Sequence, residues 1–214
     1  MKKLILYTGL YIFIEFIALK ILNILIVSTN AILYNIISYT ILAVLAFVLF
    51  RKELYEDFRE FLLHPWKILG ITLLTFCLIM LCSTIFIIIP GTKQLTQNQD
   101  LVNKFLSTSI IPIFIVVILG PFVEEIIFRH ILIGKLQNKI PQWILCTLSI
   151  LTFGIIHIHT FTLDGILEIK QYILIGTAMT ILYIKNKNNL SYPLAAHIFN
   201  NLIATILILA PQMH

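Results

Sequence analysis

The sequence predicts an all-α protein: a polytopic transmembrane helical bundle of about seven spans, or eight, with a cytoplasmic N-terminus. Three observations carry this. Of 214 residues, 59% are hydrophobic and only 12% are charged. Mean hydropathy is +0.99, far too apolar for a water-facing surface. The apolar residues fall in runs near the ~20 that cross a bilayer as a helix. The formal net charge of +5 comes mostly from loop lysines, so the reading is multi-pass in the cell membrane, with membrane lipid as surroundings and no nucleic acid as partner. Cys77, Cys82 and Cys146 lie in apolar runs without metal-ligand spacing and read as buried free thiols.

Taken in order, the spans are Leu4–Val27, Ala31–Phe50, Ile68–Ile89, Leu106–Leu136, Trp143–His159, Ile166–Ile184 and Tyr192–Leu209. The first follows Met1-Lys2-Lys3 as a signal peptide would. It lacks a small-residue cleavage site, and Glu15 and Lys20 interrupt it, so it reads as an uncleaved helix. Those two charges, i,i+5, make a poor helical pair and are expected to snorkel or pair with other helices. The stretch 51–67 is charged, with Leu54, Phe58, Phe61 and Leu62 at helical spacing. It is expected to lie along the inner membrane face as an anchor. His64, beside Pro65, reads as an interfacial residue. The fourth span exceeds one crossing and is expected to bend at Gly120-Pro121, or to begin at the interface. Gly91–Asn103 reads as a polar outer loop.

Loop charge gives orientation. With the N-terminus inside, the inner segments hold Lys2, Lys3, Arg51, Lys52, Arg59, Lys67, Lys135, Lys139, Lys185 and Lys187. The outer segments hold Lys93, Lys104 and Lys170. This positive-inside bias places the C-terminus outside.

Polar groups inside the late spans carry the functional signal. Gly120-Pro121-Phe122-Val123-Glu124-Glu125-Ile126-Ile127-Phe128-Arg129 puts three charges in six residues of an apolar run. Each such charge costs roughly 2.5–3.5 kcal/mol at mid-bilayer. Glu125 and Arg129 are i,i+4 and can neutralise each other on one helix face. Glu124 points about 100° away, off that face. A desolvated carboxylate suits a general base. Span five carries Phe153-Gly154-Ile155-Ile156-His157, and span seven carries His197 and Asn201, i,i+4 on one face. His130 and His159 read as hydrogen-bonded core or span-end residues. At ~1.5 Å per residue, Glu124 lies about 18 Å, His157 about 21–23 Å and His197 about 8–9 Å from the inner ends of their spans, compatible with one shared layer.

Hydrolysis of a peptide bond within the membrane fits these groups. A carboxylate activates water; one imidazole binds that water or protonates the leaving amine; a second imidazole and an amide donor stabilise the oxyanion. The competing chemistry is a divalent metal such as zinc held by Glu124, His157 and His197. The helical zinc signature His-Glu-x-x-His is absent from the sequence.

Glu124-Glu125-x-x-x-Arg129, Phe153-x-x-x-His157 and His197-x-x-x-Asn201, in that order, resemble the three motifs of the CPBP family of intramembrane proteases. That family takes in type II CAAX prenyl endopeptidases, bacterial Abi proteins and bacteriocin-immunity proteins. The resemblance covers roughly residues 106–210, so 1–105 are expected to form N-terminal helices with the cytoplasmic amphipathic connection, and 106–214 the catalytic core. It implies that Glu124 and His157 activate water, and that His197 and Asn201 form the oxyanion site. Glu125, Arg129 and Phe153 would hold the site in shape. It implies no obligatory cofactor, although the family has been described both as glutamic and as metal-dependent. The family often has an eighth span, whereas this chain ends soon after the seventh, which bears on the lateral substrate gate.

Two functions follow. The first is an endopeptidase acting on a membrane-associated peptide or a lipidated protein. The second is a non-catalytic immunity protein against a peptide bacteriocin, acting by binding a receptor or pore. The complete motif set favours the enzyme.

Overall fold

The structure, a computed structural model, describes residues 2–14, 31–88, 111–158 and 163–210. Glu15, Lys20, His159 and the 91–103 loop lie outside these residues. The described residues form seven helices and no strand: α1 (Lys2–Ile12), α2 (Ala31–Leu63), α3 (Pro65–Ile88), α4 (111–135), α5 (Gln142–Ile156), α6 (Leu163–Lys185) and α7 (Ser191–Leu209). The all-α expectation holds.

Within α2, α3 and α7, the stretches Leu33–Leu63, Pro65–Ile85 and Ser191–Leu209 are long and apolar enough to cross a membrane. Helix α3 shows why. Ile68, Thr72, Thr75 and Ile79 are buried on one face, while Leu74, Leu78, Leu81 and Ile85 are exposed on another. A helix apolar on both its inner and outer faces is built for lipid rather than water. Proline opens it at Pro65, where the missing N–H costs nothing.

The charged stretch after Phe50 continues α2 instead of starting a separate helix. Only a kink marks the join, at Phe50 (φ −115, ψ 17). Leu54 is fully buried, whereas Phe58, Phe61 and Leu62 face outward. The segment is therefore docked on the bundle by one apolar residue and several polar ties. Lys135 pairs with Glu53 at 2.7 Å, Tyr192 bonds Glu60 at 3.1 Å, and Lys3 reaches the Leu49 carbonyl at 3.2 Å. Asn188 bonds Gln137 at 2.8 Å. The segments that loop charge assigns to one side of the membrane thus meet at one end of the bundle.

Helix α4 is continuous but not uniformly α. Ile115–Leu119 and Ile126–Lys135 are π-helical, flanking an α turn at Gly120–Glu125. The Gly120 N–H bonds the Ile115 carbonyl, five residues back. Pro121 has no N–H. The Val116 carbonyl is thereby left without its backbone donor, and Asn201 Nδ2 of α7 supplies one at 3.0 Å. The expected irregularity at Gly120-Pro121 is real, and its product is a tether between α4 and α7.

Close packing at α4 depends on Gly134, where an added Cβ would run into the Tyr183 hydroxyl. Tyr183 is almost fully buried and has no room to retreat. Gly134→Ala is expected to destabilise the protein by about 1–3 kcal/mol. A thermal melt in detergent checks this: Gly134→Ala should unfold at a lower temperature than wild type.

Candidate active site

The site is assembled from α4, α5, α6 and α7. Arg129 and Glu125 are fully buried, one turn apart on α4, and their side chains meet at 3.1 Å (Nη1 to Oε1). The second guanidinium nitrogen donates to the Gly176 carbonyl of α6 at 3.0 Å. The guanidinium carbon also lies 4.7 Å from the Phe153 ring centroid, a cation–π arrangement. Gly176 makes this possible, because a Cβ there would press on the Phe153 ring at 3.1 Å.

Glu125 has a second role that spacing along one helix cannot show. Its Oε1 bonds His197 Nδ1 of α7 at 2.8 Å. A carboxylate only accepts, so the proton sits on Nδ1 and the ring is held in that orientation. The other ring nitrogen, Nε2, then faces Glu124 Oε2 at 3.7 Å. Carboxylate, imidazole and carboxylate form one line across two helices. The His197 side chain is 4% exposed and that of Glu124 13%. Glu124 is thus the carboxylate of the pair that a small molecule reaches more readily.

His157 closes the other side. It caps α5 in the bridge region of the backbone (φ −91, ψ 0), a conformation common at active sites. Its Nδ1 lies 2.7 Å from the Phe153 carbonyl. Its ring stacks on Tyr172 of α6, with centroids 4.2 Å apart and planes 12° apart. Phe153 sits at the centre, its ring 4.8 Å from that of His157 and 5.7 Å from that of His197. It packs against both imidazoles and carries the Arg129 charge on its face.

Six of the seven sequence-derived residues belong to one assembly linked by hydrogen bonds, rings and ion pairs: Glu124, Glu125, Arg129, Phe153, His157 and His197. Asn201 is tied instead to the Val116 carbonyl of α4, one turn along α7 from His197. His130 does not belong; it packs edge-on against Phe50, with centroids 5.0 Å apart. Three contributors were not foreseen. Tyr172 and Gly176 act through shape on α6, and neither carries a motif. Asn200, buried beside Asn201, donates to its Oδ1 at 3.4 Å; the doubled amide in an apolar run was a legible signal for it.

Among the described residues no three His, Cys, Asp or Glu side chains are arranged to hold a metal. Nδ1 of each histidine is also engaged, by Glu125 and by the Phe153 carbonyl.

Residues 106–203 match the family described as Type II CAAX prenyl endopeptidase Rce1-like. The Membrane-embedded CAAX protease MroQ of Staphylococcus aureus is 30% identical over 145 residues, which are 64% of this chain and 55% of MroQ. The YdiL protein of Bacillus subtilis is 32% identical over 103 residues, 47% of this chain and 39% of YdiL. An uncharacterized protein of Mycoplasma capricolum is 35% identical over 98 residues, 46% of this chain and 27% of its own length. The chain thus spans between about a quarter and just over half of these relatives. No solved structure gives a significant match. The matched segment, residues 106–203, holds every residue of the candidate site.

Proposed function

We propose that the protein is a CAAX-type intramembrane endopeptidase that hydrolyses a peptide bond in a membrane-associated peptide or lipidated protein. The observation that carries this reading is the Glu124–His197–Glu125 line inside an apolar bundle. The family match and the protease relative support it.

Glu124 Oε2 and His197 Nε2, 3.7 Å apart, can both touch one water at hydrogen-bond distances of about 2.8 Å. As the water oxygen attacks the scissile carbonyl carbon, Glu124 takes one of its protons. His157 carries its proton on Nδ1, against the Phe153 carbonyl. Its Nε2 lone pair accepts the water's other hydrogen and aims the oxygen. His197, held through Nδ1 by the Glu125 carboxylate, keeps Nε2 beside Glu124 and the attacking water, and the developing oxyanion takes its hydrogen bond from an amide donor. Asn201 gives one amide hydrogen to the Val116 carbonyl and has a second for the oxyanion. When the C–N bond breaks, the proton on Glu124 passes to the leaving amine. The other water hydrogen stays on the attacking oxygen, so the products are a carboxylic acid and an amine, which pass to carboxylate and ammonium on release, and the site returns to its starting state.

The test is a comparison of peptide termini. Cells producing the full chain are compared with cells producing Glu124→Gln at equal membrane level, and new N-termini in the membrane fraction are identified by mass spectrometry. Termini present with wild type and absent with the variant support hydrolysis; identical sets refute it.

A further inference from the structure

Asp57, on the charged end of α2, takes no part in the chemistry above, yet it gathers three donors from three consecutive residues. Its carbonyl accepts from the Ser191 hydroxyl and, at 3.4 Å, from Asn189 Nδ2. Its carboxylate Oδ2 accepts from the Leu190 N–H at 3.1 Å. These residues begin α7. Helix N-termini present N–H groups with no partner in the helix, together with the positive end of the helix dipole. A capping side chain normally meets them. Here the N-cap is Leu190, which has no side-chain acceptor and makes no capping bond. Asn189 Oδ1 meets the Ser191 N–H at 2.9 Å, and Asp57 meets the Leu190 N–H just before it from another helix. Around it, Tyr192 bonds Glu60 at 3.1 Å and Lys67 approaches Glu60 at 3.7 Å.

The seven residues from Leu190 to His197 span about 10 Å of helix. What fixes the first turn of α7 therefore fixes the height and rotation of His197. The far part of α2 touches the site as well, since Tyr39 lies 4.0 Å from where a Cβ on Gly120 would stand. Helix α2 thus spans both partners of the Glu124–His197 pair, through Tyr39 at α4 and Asp57 at α7.

We propose that Asp57 is a positioning residue for His197, clamping α7 from outside its own sequence so that Nε2 faces Glu124. This rests on the reading of His197 as a reacting group. The clamp carries a stability cost. Burial pushes the Asp57 carboxyl up to about 6; the Leu190 N–H and Lys135 oppose the rise, while Glu56 and Glu53 add to it. Tyr183 also faces Asp57. The folded chain therefore holds a proton on Asp57 that the unfolded chain has lost. On this group's account, stability is full below pH ~4 and falls as pH rises toward about 6.

The experiment uses the full chain in lipid nanodiscs with 15N-labelled histidine, His197 being assigned by difference from His197→Gln. No substrate is involved, so the result stands whether or not Glu124→Gln abolishes processing. Asp57→Ala at pH 7.5 should displace or double the His197 ring signals. Asp57→Asn, which keeps an acceptor, should restore them and should flatten the fall in melting temperature between pH 4 and 6. Unchanged His197 signals in Asp57→Ala, even with a lowered melting temperature, would overturn the proposal. If Asp57→Ala does not fold, Asp57→Ser, whose shorter side chain withdraws the acceptor from the Leu190 N–H and leaves the carbonyl bond to Ser191 in place, carries the same test: a shifted His197 supports the clamp, and an unshifted one refutes it.

Discussion

Glu124→Gln is expected to abolish processing while the protein reaches the membrane at the wild-type level. Glutamine keeps the size and shape of glutamate and can still hydrogen-bond its neighbours. Glu125 orients His197, Arg129 neutralises Glu125, and Phe153 packs against both imidazoles. The variant should therefore fold. What it loses is basicity, because an amide takes no proton from water at neutral pH. A positioned general base contributes about 10²–10⁴-fold, so residual cleavage should fall below ~1% of wild type on that basis. A processing or protection assay with membrane levels matched by blot reads this directly. A persistent phenotype at equal level would mean that the chain acts by binding, as an immunity protein would, and that the carboxylate is not used chemically.

The helices and the site's membership were legible in the sequence for different reasons. Helices announce themselves by apolar runs, and charges inside such runs are rare enough that Glu124, Glu125 and Arg129 stood out. His157, His197 and Asn201 followed from the same contrast. The connections between helices were less legible. Glu125 and Arg129 read as a closed pair because i,i+4 spacing is visible along one chain. The bond from Glu125 to His197 crosses 72 residues and depends on how α4 and α7 are rotated. That rotation is set by local faults with no periodic signature: the π turns before and after Gly120–Glu125, and the carbonyl at Val116 left open by Pro121. Tyr172 was hidden for another reason, since a tyrosine near the start of an apolar span looks like an interfacial anchor. Its stacking on His157 depends on where α5 ends. The stretch 51–67 reads as amphipathic by spacing, but it runs on from the preceding span as one helix, and the tie from Asp57 to the start of α7 crosses 133 residues, which no local spacing reveals.

Arg129→Ala should be the most destabilising single change in the site. Arg129 is fully buried and has three partners: the Glu125 carboxylate at 3.1 Å, the Gly176 carbonyl at 3.0 Å and the Phe153 ring face. Its removal leaves Glu125 as a fully buried carboxylate with only His197 to balance it, and leaves the Gly176 carbonyl without this donor. Breaking a buried ion pair from one side costs about 3–5 kcal/mol, on the order of 10 °C in melting temperature for a chain of this size. The network has no slack to absorb the loss, because Arg129 Nε and Glu125 Oε2 already lack hydrogen-bond partners among the described residues. Arg129→Lys should recover only part of the loss, since an ammonium cannot reproduce the planar fork that reaches both Glu125 and Gly176. The double variant Arg129→Met with Glu125→Gln tests the cause. If the cost of Arg129→Ala comes from a stranded charge, removing both charges should restore much of the melting temperature while leaving His197 without its carboxylate and the enzyme impaired. A double variant as unstable as Arg129→Ala would instead place the cost in lost packing against Phe153.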